Sequence, residues 1–508
     1  MNLSLLKRNI TANFFGTFWS IFSIYFFLPF YLKFLGEEAY GLILFASSIQ
    51  AVIFLFDAGF SSVLRRELAI ETDSKSRMQR NFSLIRNIET FYGIIFISIG
   101  LIVVAFSPLF AKYWFILKSL SKNEISYAIV LMVFNAIFQM QSSLYNGALL
   151  SMNKQAKANF FQFIFSLFRN GLVIFVIMKF PTVLSFLIWQ FLVVIIYILF
   201  QRKVLFSYFN VEDKKNSTYF DLKILKETWK VGGLFLSISI LSTFNSQLDK
   251  IIISKLMTLN HLGYYNTSYT LGQILVAICG PFATAITPLL INSYFNQDKN
   301  KTSLFFHKFA KLATIISTVI GITLLMNSYR IISIWTNNTH FANETIPINY
   351  LMIVSGLLLA SQVIPYALAV ASADLKPIIY TCLINIGFTL PAYYWFGKTY
   401  GLIGFGWVWL ISNAFMLFVN VYFYLRKSLQ DEYLKWLFQD FLIPIVVAGG
   451  ITFVLDKVRP VGISPIIEII YLGLVVIISL LLTTFIFFKK EFNQSIIRVL
   501  NPNTIVKK

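Results

Sequence analysis

Residues 182–200 read TVLSFLIWQFLVVIIYILF, a run of 19 residues without a charged side chain. A helix rises about 1.5 Å per residue, so such a run nearly crosses the roughly 30 Å hydrocarbon core of a membrane. Thirteen further apolar runs occupy most of the remaining chain. The sequence therefore predicts an all-α polytopic membrane protein with about 14 transmembrane helices, at approximately 10–32, 39–63, 85–107, 124–148, 159–179, 182–200, 231–255, 263–291, 307–327, 346–372, 377–397, 402–425, 439–456 and 466–488.

The composition agrees with a protein that lies almost entirely in the membrane. Hydrophobic residues make up 57% of the chain and charged residues only 13%, which excludes an ordinary soluble globular protein. Because the predicted spans leave no room for a soluble domain, the function is expected inside the membrane, as transport across it.

The basic residues predict how the chain is oriented. The formal net charge of +20 could indicate nucleic acid, but the Lys and Arg residues lie in short connections between spans, so no nucleic-acid partner is expected. Thirty of the 42 Lys and Arg residues lie on the side of the N-terminus, which the positive-inside rule assigns to the cytoplasm. An even number of spans then places both termini in the cytoplasm, and the expected location is the cell inner (plasma) membrane.

An internal repeat organises the spans. Shifting the sequence by 222 residues brings the first six spans onto spans seven to twelve and Gly41 onto Gly263. Copies with an even number of spans enter the membrane in the same direction, and parallel repeats place a substrate path at their interface. The predicted domains are an N-terminal six-helix lobe (1–203), a cytoplasmic linker (204–230), a C-terminal six-helix lobe (231–428), transmembrane helices 13 and 14 (429–488) and a cytoplasmic tail (489–508).

Four charged residues lie clearly within the predicted spans, at least five residues from either end: Asp57, Arg169, Asp249 and Lys250. Each costs about 2.5–3.5 kcal/mol at a helix centre, so such residues usually face a cavity or a partner. Depth in the span favours a cavity for Arg169 and for the neighbours Asp249 and Lys250. A structural contact between helices explains Asp57 equally well, because it lies close to the cytoplasmic edge.

Amide side chains extend these polar positions. Asn245 lies four residues before Asp249, and Gln139 four residues after Asn135, so each pair shares one helical face. Amides offer both donors and acceptors, which suits a hydroxyl-rich ligand. Hydrogen bonds between helices are an equally open interpretation for each amide.

The sequence shows no pattern of a catalytic or metal site. Gly397-Lys398-Thr399 imitates the end of a phosphate-binding loop, but Ala392 stands where the first glycine is needed. The three histidines have no zinc-ligand spacing. Neither an enzyme, nor a cofactor, nor a metal is expected.

Short motifs at the ends of several spans resemble those of the lipid-linked polysaccharide (O-antigen, Wzx-type) flippases, a family of the multidrug/oligosaccharidyl-lipid/polysaccharide exporter superfamily. The motifs are LGEEAYGL at 35–42, DAGF at 57–60, DK at 249–250, HLGYY at 261–265 and YGLIG at 400–404.

The resemblance implies two six-helix lobes and two further helices around a central cavity. It implies alternating access that carries an undecaprenyl-diphosphate-linked oligosaccharide to the outer leaflet. The implied partners are this glycan lipid, membrane lipid and the polysaccharide polymerase machinery. Carried onto this sequence, the resemblance implies Asp57, Arg169, Asp249 and Lys250 as cavity or gate residues, with Arg65 and Arg66 as further candidates at the inner mouth. The amides Asn245 and Gln139, singled out above by their spacing, complete the expected set.

Three alternatives remain open at this stage. A multidrug/cation antiporter of the same superfamily usually has twelve spans, so spans 13 and 14 count against it. A membrane polysaccharide polymerase or ligase usually carries a large outer loop, and the longest predicted here is about 18 residues around Thr336–His340. A bare scaffold leaves the charges inside the membrane without a purpose.

Overall fold

Helices build the part of the chain that the structure describes. A computed structural model describes residues 26–57, 59–69, 75–152, 154–209, 221–372, 376–459 and 464–500, together with Trp19 and Ser23. These residues contain no strand beyond an isolated bridge of Ile116 and Thr258. The helices are α1 (Phe26–Leu35), α2 (Glu37–Phe54), α3 (Phe60–Ala69), α4 (Lys75–Tyr113), α5 (Lys122–Ser151), α6 (Gln155–Lys179), α7 (Val183–Phe206), α8 (Leu222–Leu256), α9 (Leu259–Phe295), α10 (Lys299–Thr336), α11 (Thr339–Ser361), α12 (Val363–Ala371), α13 (Lys376–Ser428), α14 (Tyr433–Lys457) and α15 (Pro465–Leu500).

The predicted all-α polytopic fold class is confirmed. Among the described residues, 11 segments are long and apolar enough to cross a membrane. One of them, in α13, contains the two spans predicted at 377–397 and 402–425. The helix α8 covers the span predicted at 231–255, and α1 overlaps the end of the first span, whose residues 10–18 lie outside the described part.

The second predicted span is shorter than the hydropathy indicates. The helix α2 ends at Phe54, a single 3₁₀ turn covers Leu55–Asp57, and Gly59 has φ 80°. A positive φ suits glycine and ends the helical path. The prediction of one helix through residue 63 was therefore wrong, and a separate helix, α3, follows with Phe60 and Leu64 buried.

The long helix α13 changes direction at Gly401, which has φ 61° and ψ −142°. A Cβ on the nearby Gly404 would lie 2.2 Å from the Phe396 carbonyl oxygen. Glycine is thus required at both positions, by backbone conformation at the first and by close approach at the second.

The chain divides into two compact units, residues 1–264 and 265–508. The core of the first unit joins α3, α4, α5 and α7 through buried residues such as Leu64, Ile85 and Tyr145. In the second unit, α9 and α11 approach closely, since a Cβ on Gly272 would lie 2.4 Å from the Met352 carbonyl oxygen. Small residues allow this packing of membrane helices. Many large apolar side chains point outward from both units, as a lipid-facing surface requires.

Candidate functional site

A π-helical turn interrupts α6 at Leu167–Leu172. Such a turn loosens the regular backbone ladder, so carbonyl groups become available to side-chain donors, and it occurs frequently at functional sites. Three successive carbonyls of this turn accept bonds from two neighbouring helices. They are Phe168 O from Trp189 Nε1 at 2.9 Å, Arg169 O from Gln190 Nε2 at 2.9 Å and Asn170 O from Tyr31 Oη at 2.6 Å.

The turn presents the guanidinium of Arg169 to amide side chains. Arg169 Nη1 donates to Gln139 Oε1 at 2.9 Å, and Nε donates to Gln190 Oε1. The Phe165 ring lies 5.7 Å from the guanidinium carbon. No Asp or Glu in the described part of the chain forms an ion pair with Arg169, and the residue is partly exposed. The dipoles of the amide side chains orient the guanidinium without neutralising its charge.

The polar line continues along α5. Gln139 Nε2 donates to Asn135 Oδ1 at 3.0 Å, as their four-residue spacing predicts. The structure thus brings together two of the predicted site residues, Arg169 and Gln139. Guanidinium has five N–H donors, and the two bonds to amides leave three that can meet an anionic or hydroxyl-rich ligand.

Asp249 and Lys250 are buried on α8, with 0% and 4% of their surface exposed. Lys250 Nζ donates to the Ser246 carbonyl at 2.8 Å, and the Lys250 backbone N–H donates to Asp249 Oδ1 at 2.8 Å. Asn245 Nδ2 donates to the Leu241 carbonyl at 3.0 Å, on the same helix. The hydrogen bonds of Arg169 do not include these residues.

Asp57 acts locally in this structure. Its Oδ1 accepts from the backbone N–H of Ser61 at 3.1 Å, from the Ser61 hydroxyl at 2.7 Å and from the Tyr92 hydroxyl. A carboxylate at this place satisfies a free N–H of the first turn of α3. Arg65, on α3, is exposed, and its Nε would be 2.4 Å from a Cβ on Gly147. The predicted Arg66 side chain lies outside the described part.

Sequence reasoning missed two polar residues of this unit. Gln190 is the amide in the middle of the apolar run 182–200, and that isolation was its available signal. Glu89, near the start of a predicted span, accepts from Arg202 Nε at 3.0 Å, from Arg86 Nη1 at 3.2 Å and from the Tyr145 hydroxyl. This second cluster ties α4, α5 and α7 together.

The backbones of α2 and the start of α9 pack closely within the first unit. A Cβ on Gly41 would lie 1.9 Å from the Leu259 carbonyl oxygen, so α2 meets α9 where only glycine fits. A Cβ on Gly263 would lie 3.2 Å from Tyr40 Cδ1 and 3.7 Å from the Glu37 carbonyl oxygen. Residues 41 and 263, like 37 and 259, are 222 apart, which is the spacing of the predicted repeat. The repeat itself stays a prediction.

Side-chain hydrogen bonds add to this packing. Glu38 is 4% exposed and accepts the backbone N–H groups of residues 118–120. Trp114 Nε1 donates to Ser254 Oγ at 3.0 Å, and Lys255 Nζ donates to the Tyr113 carbonyl. Several independent contacts therefore hold these helices together.

Comparison with known proteins gives the family and the fold. A family model described as "Polysaccharide biosynthesis protein" matches residues 32–340. None of the curated proteins searched matches the chain. A structure of the lipid II flippase MurJ in an inward closed conformation has a TM-score of 0.70 and 15% identity, covering 95% of this chain and 99% of that one.

Two transporter structures share the same architecture. An inward-facing multidrug resistance transporter of the MATE family, in the MOP superfamily, has a TM-score of 0.60 and 17% identity, covering 79% of this chain and 95% of that one. The Vibrio cholerae MATE transporter VcmN in its bent form has a TM-score of 0.54 and 13% identity, covering 85% and 98%. Because the family model spans more than half of the chain, the protein belongs to the polysaccharide biosynthesis protein family, and its fold is that of the MOP-superfamily transporters.

Proposed function

We propose that the protein is a flippase that moves undecaprenyl-diphosphate-linked oligosaccharide units across the inner membrane by alternating access. These units would serve the assembly of O-antigen or another surface polysaccharide. The family supports a place in polysaccharide biosynthesis, and the similar fold of a lipid II flippase supports a lipid-linked substrate.

The problem that such a protein solves is the hydrophilic headgroup. Burying one uncompensated hydroxyl or amide costs about 2–7 kcal/mol, so several sugars do not cross hydrocarbon unaided. A line of amide side chains replaces the lost water contacts, while the polyprenyl chain stays in lipid. Gln139, Gln190 and Asn135 form such a line in the first unit.

The observation that carries the proposal is the unbalanced charge of Arg169. A cation inside a membrane protein that lacks a carboxylate partner is costly to retain unless an anion visits it. In this proposal its three remaining N–H donors bind a diphosphate oxygen through charge-assisted hydrogen bonds. Lys250, Asp249, Asn245, Asp57, Arg65 and Arg66 stay candidates for further cavity or gate roles, and the contacts of Gly41 and Gly263 form the gate that must open.

Two other functions fit less well. The MATE structures cover 79% and 85% of this chain, whereas the flippase structure covers 95%, so a flippase accounts for more of its length than a multidrug antiporter. A polymerase or ligase would need acid–base or nucleophilic groups facing the substrate, and the Arg169 site offers a cation and amides. The polymerase machinery is instead the proposed next partner in the pathway.

The test is transport by the purified protein in liposomes that contain a fluorescent polyprenyl-diphosphate disaccharide. Arg169→Ala is expected to lower the transport rate at least tenfold, which corresponds to a loss of about 1.4 kcal/mol. Arg169→Lys keeps the charge and should retain part of the rate. Lys398→Ala is the control, because Lys398 is an exposed cation whose Nζ donates to the nearby Tyr394 hydroxyl.

The outcomes separate the three functions. Normal transport by Arg169→Ala would refute the site. Sugar transfer by the purified wild-type protein would favour a polymerase. A deletion strain with intact surface polysaccharide and raised drug sensitivity would favour the antiporter.

A further inference from the structure

A histidine that the proposed transport does not use lies between two carboxylates in the second unit. His307, near the start of α10, is 8% exposed. Its Nε2 is 2.6 Å from Glu432 Oε2, and its Nδ1 contacts Asp440 Oδ2. Asp440 is 1% exposed and belongs to a π-helical turn of α14, Trp436–Leu442.

The hydrogen-bond count of this cluster demands an additional proton. A neutral imidazole has one N–H donor and one lone-pair nitrogen, whereas an ionised carboxylate only accepts. With a carboxylate oxygen at each ring nitrogen, a neutral ring would set its lone pair against one of them. A doubly protonated ring donates to both. A neutral ring beside one protonated carboxyl meets the same count, so the charges around the cluster decide which group holds the proton.

The surrounding charges favour the doubly protonated ring of His307. Lys311 Nζ lies 3.5 Å from Asp440 Oδ1. The ammonium pairs with the buried Asp440, and the imidazolium would pair with both Asp440 and the partly exposed Glu432, so the two cations balance the two carboxylates. α15 contributes Phe487, whose ring lies 5.8 Å from Lys311 Nζ.

Glu432, in the connection before α14, is ionised. Burial raises the pKa of its carboxyl, but hydrogen bonds from Ser303 and His307, together with the charge of Lys435, outweigh burial and hold it below its usual value. Ser303 Oγ donates to Glu432 Oε2 at 2.7 Å. Lys308, the residue after His307, is exposed. Glu432 therefore does not hold the additional proton, and the ion pair of Lys311 with Asp440 favours the ring over Asp440 as its site.

We propose that His307, Asp440 and Glu432 form a proton-binding site where α10 packs against α14, and that the bound proton stabilises the contact between the two helices. The stabilisation is present while the cluster holds this additional proton and is lost when the pH rises enough to remove it. On the acid side it is lost as the pH falls through the depressed pKa of Glu432.

The first experiment follows the thermal unfolding midpoint of the full-length protein in detergent micelles from about pH 5.5 to about pH 9. His307→Gln is expected to lower the midpoint by about 3 °C or more at the acid end, and the difference should shrink as the pH rises. Arg330→Gln is the matched control. The substitution breaks the ion pair between Arg330 Nη1 of α10 and Glu468 Oε1 of α15, which are 2.5 Å apart. Because no histidine takes part in this ion pair, the effect on the unfolding midpoint should not change over this pH range.

The second measurement needs no variant at the site. The chain has three histidines, 261, 307 and 340, so nitrogen-15 histidine labelling gives signals from three rings, which His261→Gln and His340→Gln assign. We expect His307 at about pH 6 to show two ring N–H protons in slow exchange with water. A neutral ring at that pH, or a His307→Gln effect that is zero or constant with pH, would overturn the proposal.

Discussion

The π-helical turns of α6 and α14 build two contrasting sites with the same backbone feature. Each carries an ionisable side chain of a membrane span, Arg169 in the first and Asp440 in the second. Arg169 is partly exposed and bonds neutral amides, whereas Asp440 is almost fully buried beside His307 and Lys311. The first turn presents a charge that its neighbours leave unbalanced, and the second buries a charge that they balance.

This difference separates a ligand site from a structural tie. A balanced buried cluster loses much of its stabilisation when one member is removed, because an uncompensated charge remains. An unbalanced cation held by amides contributes less to folding, and its removal should mainly affect an anionic ligand. A charge-to-amide substitution in the second turn should therefore lower stability more than the matched substitution in the first turn. Transport should respond the other way, with the larger loss in the first turn.

The largest effect on stability is expected for Asp440→Asn. The substitution leaves Lys311 without its carboxylate and the imidazolium of His307 with Glu432 alone, so the free energy of unfolding should fall by about 3–5 kcal/mol. Arg169→Gln, the matched change in the other turn, should cost about 1–2 kcal/mol, since it disturbs hydrogen bonds to neutral groups. Unfolding in mixed micelles measures both. Equal losses would mean that Arg169 is a structural residue.

Gln190→Leu should have an intermediate effect and sharpen the account of the first turn. The substitution removes the acceptor for Arg169 Nε and the donor to the Arg169 carbonyl. We expect a loss of about 1–3 kcal/mol in stability and a several-fold slower transport, because the guanidinium is no longer oriented. In a double-mutant cycle with Arg169→Ala the two transport effects should not add. Additive effects would show that Gln190 acts independently of the arginine.

The sequence predicted most of the spanning helices, because they follow from local hydropathy. It did not predict the π-helical turns, whose freed carbonyls are satisfied by Trp189, Gln190 and Tyr31 from other helices. Those partners are set by tertiary packing and have no local signature.

The cluster of the second unit escaped sequence reasoning for a related reason. His307 and Asp440 are 133 residues apart, and each lies at the edge of a predicted span, where a polar residue is ordinary. Asp57 shows the converse. Its place inside a predicted span left a cavity role and a structural contact equally open, and the structure shows that the helix ends there and that the carboxylate caps α3. Hydropathy reports how deep a residue lies, and not which groups surround it.

The smallest effect is expected for Lys311→Met, which tests how the second turn achieves its balance. Lys311 Nζ lies 3.5 Å from Asp440 and its side chain is 22% exposed, so solvent screens part of the attraction. An ion pair of this kind contributes about 1 kcal/mol or less, and the methionine retains the apolar contact with Phe487. The unfolding midpoint should therefore drop far less than in Asp440→Asn. A loss as large as that of Asp440→Asn would make the ammonium of Lys311, and not the imidazolium of His307, the cation on which the buried carboxylate depends. The stability of Lys311→Met would then no longer vary with pH.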